Sequence, residues 1–223
     1  MKVIIVLISL AFFLVLTGCD TNTPQNGAET AGPIVCLGDS LTEGYGAGGR
    51  DIVDKSRSYP AFLDGRVAAP VVNAGISGDT AAGALTRLER DVLSKDPQMV
   101  IILLGANDFF RLRPAAETKA DLQTIINRTR EVNRKIFLAS FIGDASWEQA
   151  ILSSMPGMIL VTPLLSNYKR MFEELVLENS DIRFIPDIWT GVWEINMSDP
   201  IHPNANGYRI IAETVYNAIR LHL

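Results

Sequence analysis

The chain contains only two histidines, which makes the search for a proton-transfer residue short. His222 is the penultimate residue, on a terminus expected to fray. His202 stands in Asp199-Pro200-Ile201-His202-Pro203, directly before the last helical pattern. A D-x-x-H spacing across one tight turn lets the carboxylate reach the imidazole Nδ1–H, which fixes the tautomer and leaves Nε2 free to take a proton. Such an imidazole suits acyl transfer, which also needs a nucleophile and hydrogen-bond donors for an oxyanion. Ser40, in Gly38-Asp39-Ser40-Leu41, sits just past an apolar run and would project toward the end of a strand. The same position also suits a serine that merely caps a helix, and Ser77 is a rival at an equivalent strand end. No G-x-S-x-G occurs, so the nucleophile elbow of the α/β-hydrolases is absent. Two distant histidines and no clustered thiolates give no metal-ligand set, and no cofactor is expected.

The elements that must position these residues are legible in the hydropathy. Short apolar runs at Ile34–Leu37, Val71–Ala74, Met99–Leu104, Ile136–Ser140 and Ile182–Ile185 read as strands. The third, MVIILL, is apolar on both faces, as a central parallel strand covered by helices would be. Between them lie helical faces: Ala81, Leu85, Leu88 and Val92, then Leu122, Ile125, Ile126 and Thr129. Leu165, Tyr168, Phe172, Leu175 and Val176 form a third, and Tyr208, Ile211, Ala212, Val215 and Ile219 the last. This alternation predicts an α/β fold, a three-layer α/β/α sandwich around a five-stranded, mostly parallel sheet. Ligands of such sheets sit at the carboxyl ends of the strands. The segments there are GDSLTEGYG, NAGISGDT and GANDFF. Cys36 lies inside the first strand and reads as a small buried residue.

Four of these segments together resemble the blocks of the SGNH (GDSL) hydrolase family: GDSLTEGYG (38–46), the glycine of NAGISGDT (73–80), GAND (105–108) and DPIH (199–202). They occur in the family's order and spacing across the whole of residues 34–223, the expected hydrolase domain with a flavodoxin-like sheet. The resemblance implies Ser40 as nucleophile, His202 as base and Asp199 as its orienting acid. It also implies an oxyanion hole formed by the backbone N–H groups of Ser40 and Gly78 and the side-chain amide of Asn107. Physical chemistry is compatible with both additions. Gly78 precedes a helix and has no side chain to block close approach, and Asn107 offers an NH₂ donor where Asp108 could only accept. Asp39 is read as holding the nucleophile loop. Gly44-Tyr45-Gly46-Ala47-Gly48-Gly49 matches G-x-G-x-x-G, but GDSLTE separates it from the strand and no helical pattern follows. It is therefore read as a mobile loop beside the nucleophile, not a dinucleotide site.

The length, 223 residues with 48% hydrophobic, suits one domain. A formal net charge of −5 without any Lys/Arg block argues against nucleic acid as a partner. Lys2 precedes an apolar run from Val3 to Leu16, shorter than the roughly 20 residues a bilayer-spanning helix needs. Residues 1–18 read as a secretory signal, and Leu16-Thr17-Gly18-Cys19 resembles a bacterial lipobox. The resemblance implies cleavage before Cys19 and lipid attachment to it, against the alternative of an ordinary signal with a coincidental cysteine. Residues 19–33 would then be a polar tether, placing the domain in a bacterial cell envelope as a membrane-anchored monomer.

The expected substrate is a small acyl ester. The opening blocks resemble the thioesterase I/lysophospholipase/arylesterase branch, which implies aryl esters, acyl thioesters or lysophospholipids. Removal of O-acetyl groups from envelope glycans is the alternative, and a non-catalytic ligand-binding lipoprotein is the alternative of another class. Phe109 and Phe110 are candidate walls of an acyl pocket, with core packing as the competing role, and residues 141–160 a candidate lid or pocket wall.

Overall fold

The structure is a computed structural model that describes residues 32–131, 134–144, 147–149 and 162–223. Five strands form one sheet: β1 (Ile34–Gly38), β2 (Val71–Gly75), β3 (Met99–Leu103), β4 (Lys135–Ala139) and β5 (Arg183–Ile185). Each expected strand is present, displaced by at most a residue or so at its ends. The order is β2-β1-β3-β4-β5 and every pairing is parallel. The burial pattern follows position: β1 and β3 are buried at every residue, whereas the edge strands β2 and β5 are partly open. Central strands covered on both faces need continuous apolar sequence, and IVCLG and MVIIL supply it. Cys36 is fully buried there, and desolvation pushes its thiol up to about 12 despite an opposing hydrogen bond from Tyr59, so the thiolate is out of reach at neutral pH.

The helices are α1 (Ser40–Glu43), α2 (Tyr59–Asp64), α3 (Ala81–Asp91), α4 (Ala106–Phe110), α5 (Ala115–Glu131), α6 (Thr162–Glu178) and α7 (Ala205–Ile219). Helix α2 packs on α7, while α3, α5 and α6 pack side by side, which gives the expected three layers. The chain steps from β1 out to β2, then crosses back to β3 and continues to β4 and β5. Right-handed crossovers in opposite directions put α2 on one face and α3, α5 and α6 on the other. Helix α3 is entered through Thr80, whose hydroxyl accepts from the Gly83 N–H, and α7 through Asn204, which accepts from Asn206 and Gly207. Helix α2 was not expected. Its six residues are too few for a hydrophobic period, and only the Ser58 cap with Pro60 in the first turn announces it.

The reversal of strand order falls between β1 and β3, so the connections leaving their paired carboxyl ends run in opposite directions and leave a crevice. The loops leaving β1, β2 and β3 all open on that side, and the segment before α7 closes it.

Candidate active site

Ser40 is the first residue of α1 and only 9% exposed. Asp39 caps this short helix, its Oδ1 accepting from the Leu41 N–H at 3.0 Å. The Ser40 N–H belongs to the first turn, where no intrahelical carbonyl takes it up. His202 approaches from the opposite end of the sequence, and its Nε2 lies 3.0 Å from Ser40 Oγ. Its Nδ1 lies 2.7 Å from Asp199 Oδ2. The other carboxylate oxygen, Oδ1, accepts from the Ile201 and His202 N–H groups at 2.8 Å each. Burial alone would raise the Asp199 pKa, but the Ile201 N–H and the imidazole outweigh it and hold the carboxyl below its ordinary value. Asp199 is therefore charged at neutral pH and fixes the Nδ1–H tautomer.

The imidazole is braced from outside by Tyr45, whose ring centroid lies 4.5 Å from its own. The Tyr208 hydroxyl donates to the Tyr45 carbonyl at 2.7 Å, tying α7 to the nucleophile loop. Gly46, at φ +84°, lets that loop press against the histidine turn, because a Cβ there would meet the Pro203 carbonyl at 2.8 Å. The glycine-rich stretch is thus explained by close backbone approach. It is pinned rather than loose: Gly46 N donates to Ile52 O, Asp54 N donates to Gly44 O, and Tyr45 pairs with Val53.

Gly78 and Asn107 line the same cavity as Ser40 and His202. Gly78 takes φ +80°, a left-handed conformation that other residues adopt at a cost, and Arg111 holds its carbonyl with a 2.7 Å hydrogen bond. Asn107 lies within α4, where a plain turn was the competing expectation, and its Nδ2 donates to Asp39 Oδ2 at 3.3 Å. One N–H of that amide is so occupied and the other remains available to a ligand. Asp108 is fully buried and accepts from the Ala81 N–H and from Arg113, which ties α4 to the start of α3. Ser77, the rival nucleophile, gives its hydroxyl to Glu43 at 2.6 Å. The imidazole pairs with Ser40, not with Ser77.

Of the two candidate wall residues, Phe110 lines the cavity, whereas Phe109 is buried in the core among Phe110, Phe141 and Tyr168. Adjacent residues on a short helix point in different directions, so one of the pair had to turn inward. Phe141 and Trp147, from the candidate lid segment, also line the cavity. Residues 145, 146 and 150–160 of that segment lie outside the described residues, as does Cys19. Among the described residues no group of His, Cys, Asp and Glu could hold a metal ion, and no helix is long and apolar enough to cross a membrane.

Two features of the site were not read from the sequence. Arg87, on α3, is only 7% exposed and donates from Nη2 to the Gly38 carbonyl at 3.0 Å and from Nη1 to the Ala74 carbonyl at 2.8 Å. Its Nε also donates to Asp79 at 2.7 Å. One guanidinium thereby joins the carboxyl ends of β1 and β2 to the loop that carries Gly78. The available signal was an arginine on the buried face of an amphipathic helix, with Asp91 four residues on.

The second is the environment of Asp39, which is 1% exposed. Desolvation is the main cause raising its pKa to about 7, with the Leu41 and Asn107 hydrogen bonds opposing and the Asp79 and Asp108 charges adding. The folded state therefore keeps a proton on Asp39 that the unfolded chain gives up near 3.8. Between these values the native state binds more protons, so this group's contribution to stability is present at low pH and is lost as pH rises through 7. Asp39→Asn should consequently melt progressively higher than the wild type as pH is raised from 4 to 8, by on the order of 4 kcal/mol at the upper end. A melting difference that is flat with pH would contradict the assignment.

With this geometry in view, the chain matches the GDSL-like Lipase/Acylhydrolase family over residues 36–210, a span that holds Ser40, Gly78, Asn107, Asp199 and His202. The chain belongs to that family. As a GDSL family member it is a carboxylic ester hydrolase by class. It is 32% identical over 130 residues to the esterase TesA of Pseudomonas aeruginosa, a match that spans 56% of this chain and 62% of that protein. It is 26% identical over 191 residues to the thioesterase 1/protease 1/lysophospholipase L1 of Escherichia coli K12, covering 83% of this chain and 82% of the relative. A crystal structure of TesA superposes with a TM-score of 0.70 at 26% identity, covering 86% of this chain and 99% of that one. The GDSL fold expected from the four blocks is therefore present.

Proposed function

We propose that this GDSL hydrolase is a serine esterase working through an acyl-enzyme, with Ser40 as nucleophile, His202 as general base and Asp199 as the acid that orients it. The observation that carries this reading is the unbroken relay from Asp199 Oδ2 through the imidazole to Ser40 Oγ, with links of 2.7 and 3.0 Å. His202 takes the Ser40 proton as the oxygen attacks the acyl carbonyl, and the same imidazole returns it to the leaving alcohol or thiol. Water then adds to the acyl-enzyme by the reverse route. The tetrahedral oxyanion is held by the Ser40 and Gly78 N–H groups and the free N–H of Asn107. Substrates are carboxylic or thio-esters, and the mainly aromatic and aliphatic wall suits an apolar group beside the reacting carbonyl.

The reading extends to location. The apolar run ahead of Leu16-Thr17-Gly18-Cys19 supports export and lipid attachment at Cys19, with a polar tether from Asp20 to Pro33 leaving the domain at a membrane surface. A single experiment addresses both parts. A fluorophosphonate probe applied to cells expressing the full chain should label it at Ser40, and the labelled protein should sediment with membranes. Labelling should vanish in Ser40→Ala, and Cys19→Ala should move the label to the soluble fraction. An unlabelled wild type would favour a ligand-binding role instead, and unchanged sedimentation of Cys19→Ala would remove the lipid anchor.

A further inference from the structure

We propose that Trp147 sets the upper limit of acyl length and that the enzyme prefers esters of short acyl groups, from acetyl to about six carbons. This rests on the serine-esterase reading given above. The cavity beside Ser40 and His202 has a volume of about 170 Å³. An apolar cavity of roughly 150 Å³ holds one benzene molecule, which places the room available here at about six carbon atoms. Among the described residues, its apolar walls include Phe110, Phe141, Trp147, Trp189 and Ile201.

These walls are not equally fixed. Trp189 donates its indole N–H to the Phe141 carbonyl at 2.7 Å, and its backbone N–H donates to Asp187 at 2.7 Å. Phe141 is buried edge-on against Tyr168 and Phe172. Trp147 also has its backbone N–H bound, to Asp144 at 3.1 Å, but its side chain is held by ring contacts, stacked on Trp189 at 6.0 Å and edge-on to Phe141 at 6.3 Å. Its indole nitrogen is buried with no hydrogen-bond partner. Gly143 makes the arrangement possible, because a Cβ there would come within 2.6 Å of Trp147 Cβ and 3.0 Å of Trp189 Cδ1. Trp147 is therefore the wall that can be cut back at least cost. Removing its ring opens space beside the fixed Trp189 and relieves an unpaired buried donor.

The test is the chain-length profile of kcat/KM on p-nitrophenyl acetate, butanoate, octanoate and dodecanoate with the purified full chain. A methylene that fits a hydrophobic pocket badly changes kcat/KM by roughly 10-fold or more. The wild type should accordingly cleave octanoate at least about 10-fold less efficiently than butanoate. Trp147→Ala should raise the octanoate-to-acetate ratio by about 10-fold or more, and Trp147→Phe by less. A merely structural role would lower all four esters in parallel, and that result in both variants would overturn the proposal. A wild-type profile flat out to dodecanoate would overturn it while leaving the esterase reading intact. A wild type inactive on every ester would sink both, and the fluorophosphonate result distinguishes that case.

Discussion

Ser40→Ala should lower kcat on p-nitrophenyl acetate by on the order of ten-thousand- to million-fold, and His202→Ala by a similar amount. The expectation follows from how the relay is built. Without the imidazole, the Ser40 hydroxyl has lost its base, because the nearby carboxylates are already engaged: Glu43 by Ser77, Asp39 by Leu41 and Asn107, and Asp199 by the backbone of its own turn. Without the hydroxyl, the imidazole has only water to activate, against a carbonyl that no covalent step has trapped. Because the two act as a unit, the double variant should be no worse than the more damaging single one. Residual turnover in all three would come from the oxyanion donors, and Asn107→Ala should then remove on the order of a further hundred-fold or more. Steady-state kinetics with active-site titration checks this. A Ser40→Ala enzyme retaining a tenth of wild-type kcat would mean that another group attacks the ester.

The second large effect concerns a residue that touches no substrate. Arg87→Met should destabilise the fold by about 3–5 kcal/mol, since it takes the guanidinium from the buried side of Asp79, leaves Asp91 to Arg90 alone, removes the donor to the Ala74 carbonyl and leaves the Gly38 carbonyl only the Ile76 N–H. Those carbonyls end the strands that deliver Ser40 and Gly78, so the damage should also reach catalysis. A displacement of about 1 Å in an oxyanion donor is enough to cost on the order of a hundred-fold in rate. The loss should fall in kcat with KM little changed, because the cavity wall stays in place. Arg87→Lys should recover part of the stability but little of the rate, as one ammonium cannot span four acceptors. Denaturant midpoints and kcat measured on the same preparations decide it. A variant within 1 kcal/mol of the wild type would show that the clamp is dispensable.

The sheet was readable because its central strands must be apolar on both faces, and Ile34–Leu37 and Met99–Leu104 carry that signature without interruption. The convergence of Ser40, Asp199 and His202 was readable for a different reason. Ser40, His202 and Asp199 sit in short segments at strand ends or beside a helix start, where local spacing and spatial role coincide. What stayed hidden depends on distant pairings. Arg87 looks like an ordinary helix residue until β1 and β2 supply its carbonyl partners. Asp39 was rightly read as bracing its loop, but its partner Asn107 lies 68 residues away, and no local pattern announces that burial will hold its proton. Phe109 and Phe110 are equivalent in composition, and only the placement of α4 sends one into the core and the other to the cavity. The aromatic wall contributed by Trp189 comes from a loop without a regular period, so hydropathy could not mark it.

Ser40 and His202, the proposed nucleophile and base, are separated by 162 residues, and His202 arrives on the turn that leads into α7. A ribosome-bound chain that has emerged only as far as α6 would already contain the serine and both donor loops, yet nothing able to draw off the hydroxyl proton. On the proposed mechanism, hydrolysis is thus withheld until the turn that carries His202 is made and α7 has docked against α2. On that mechanism, a copy that stops short of His202 is chemically harmless to the acyl esters around it.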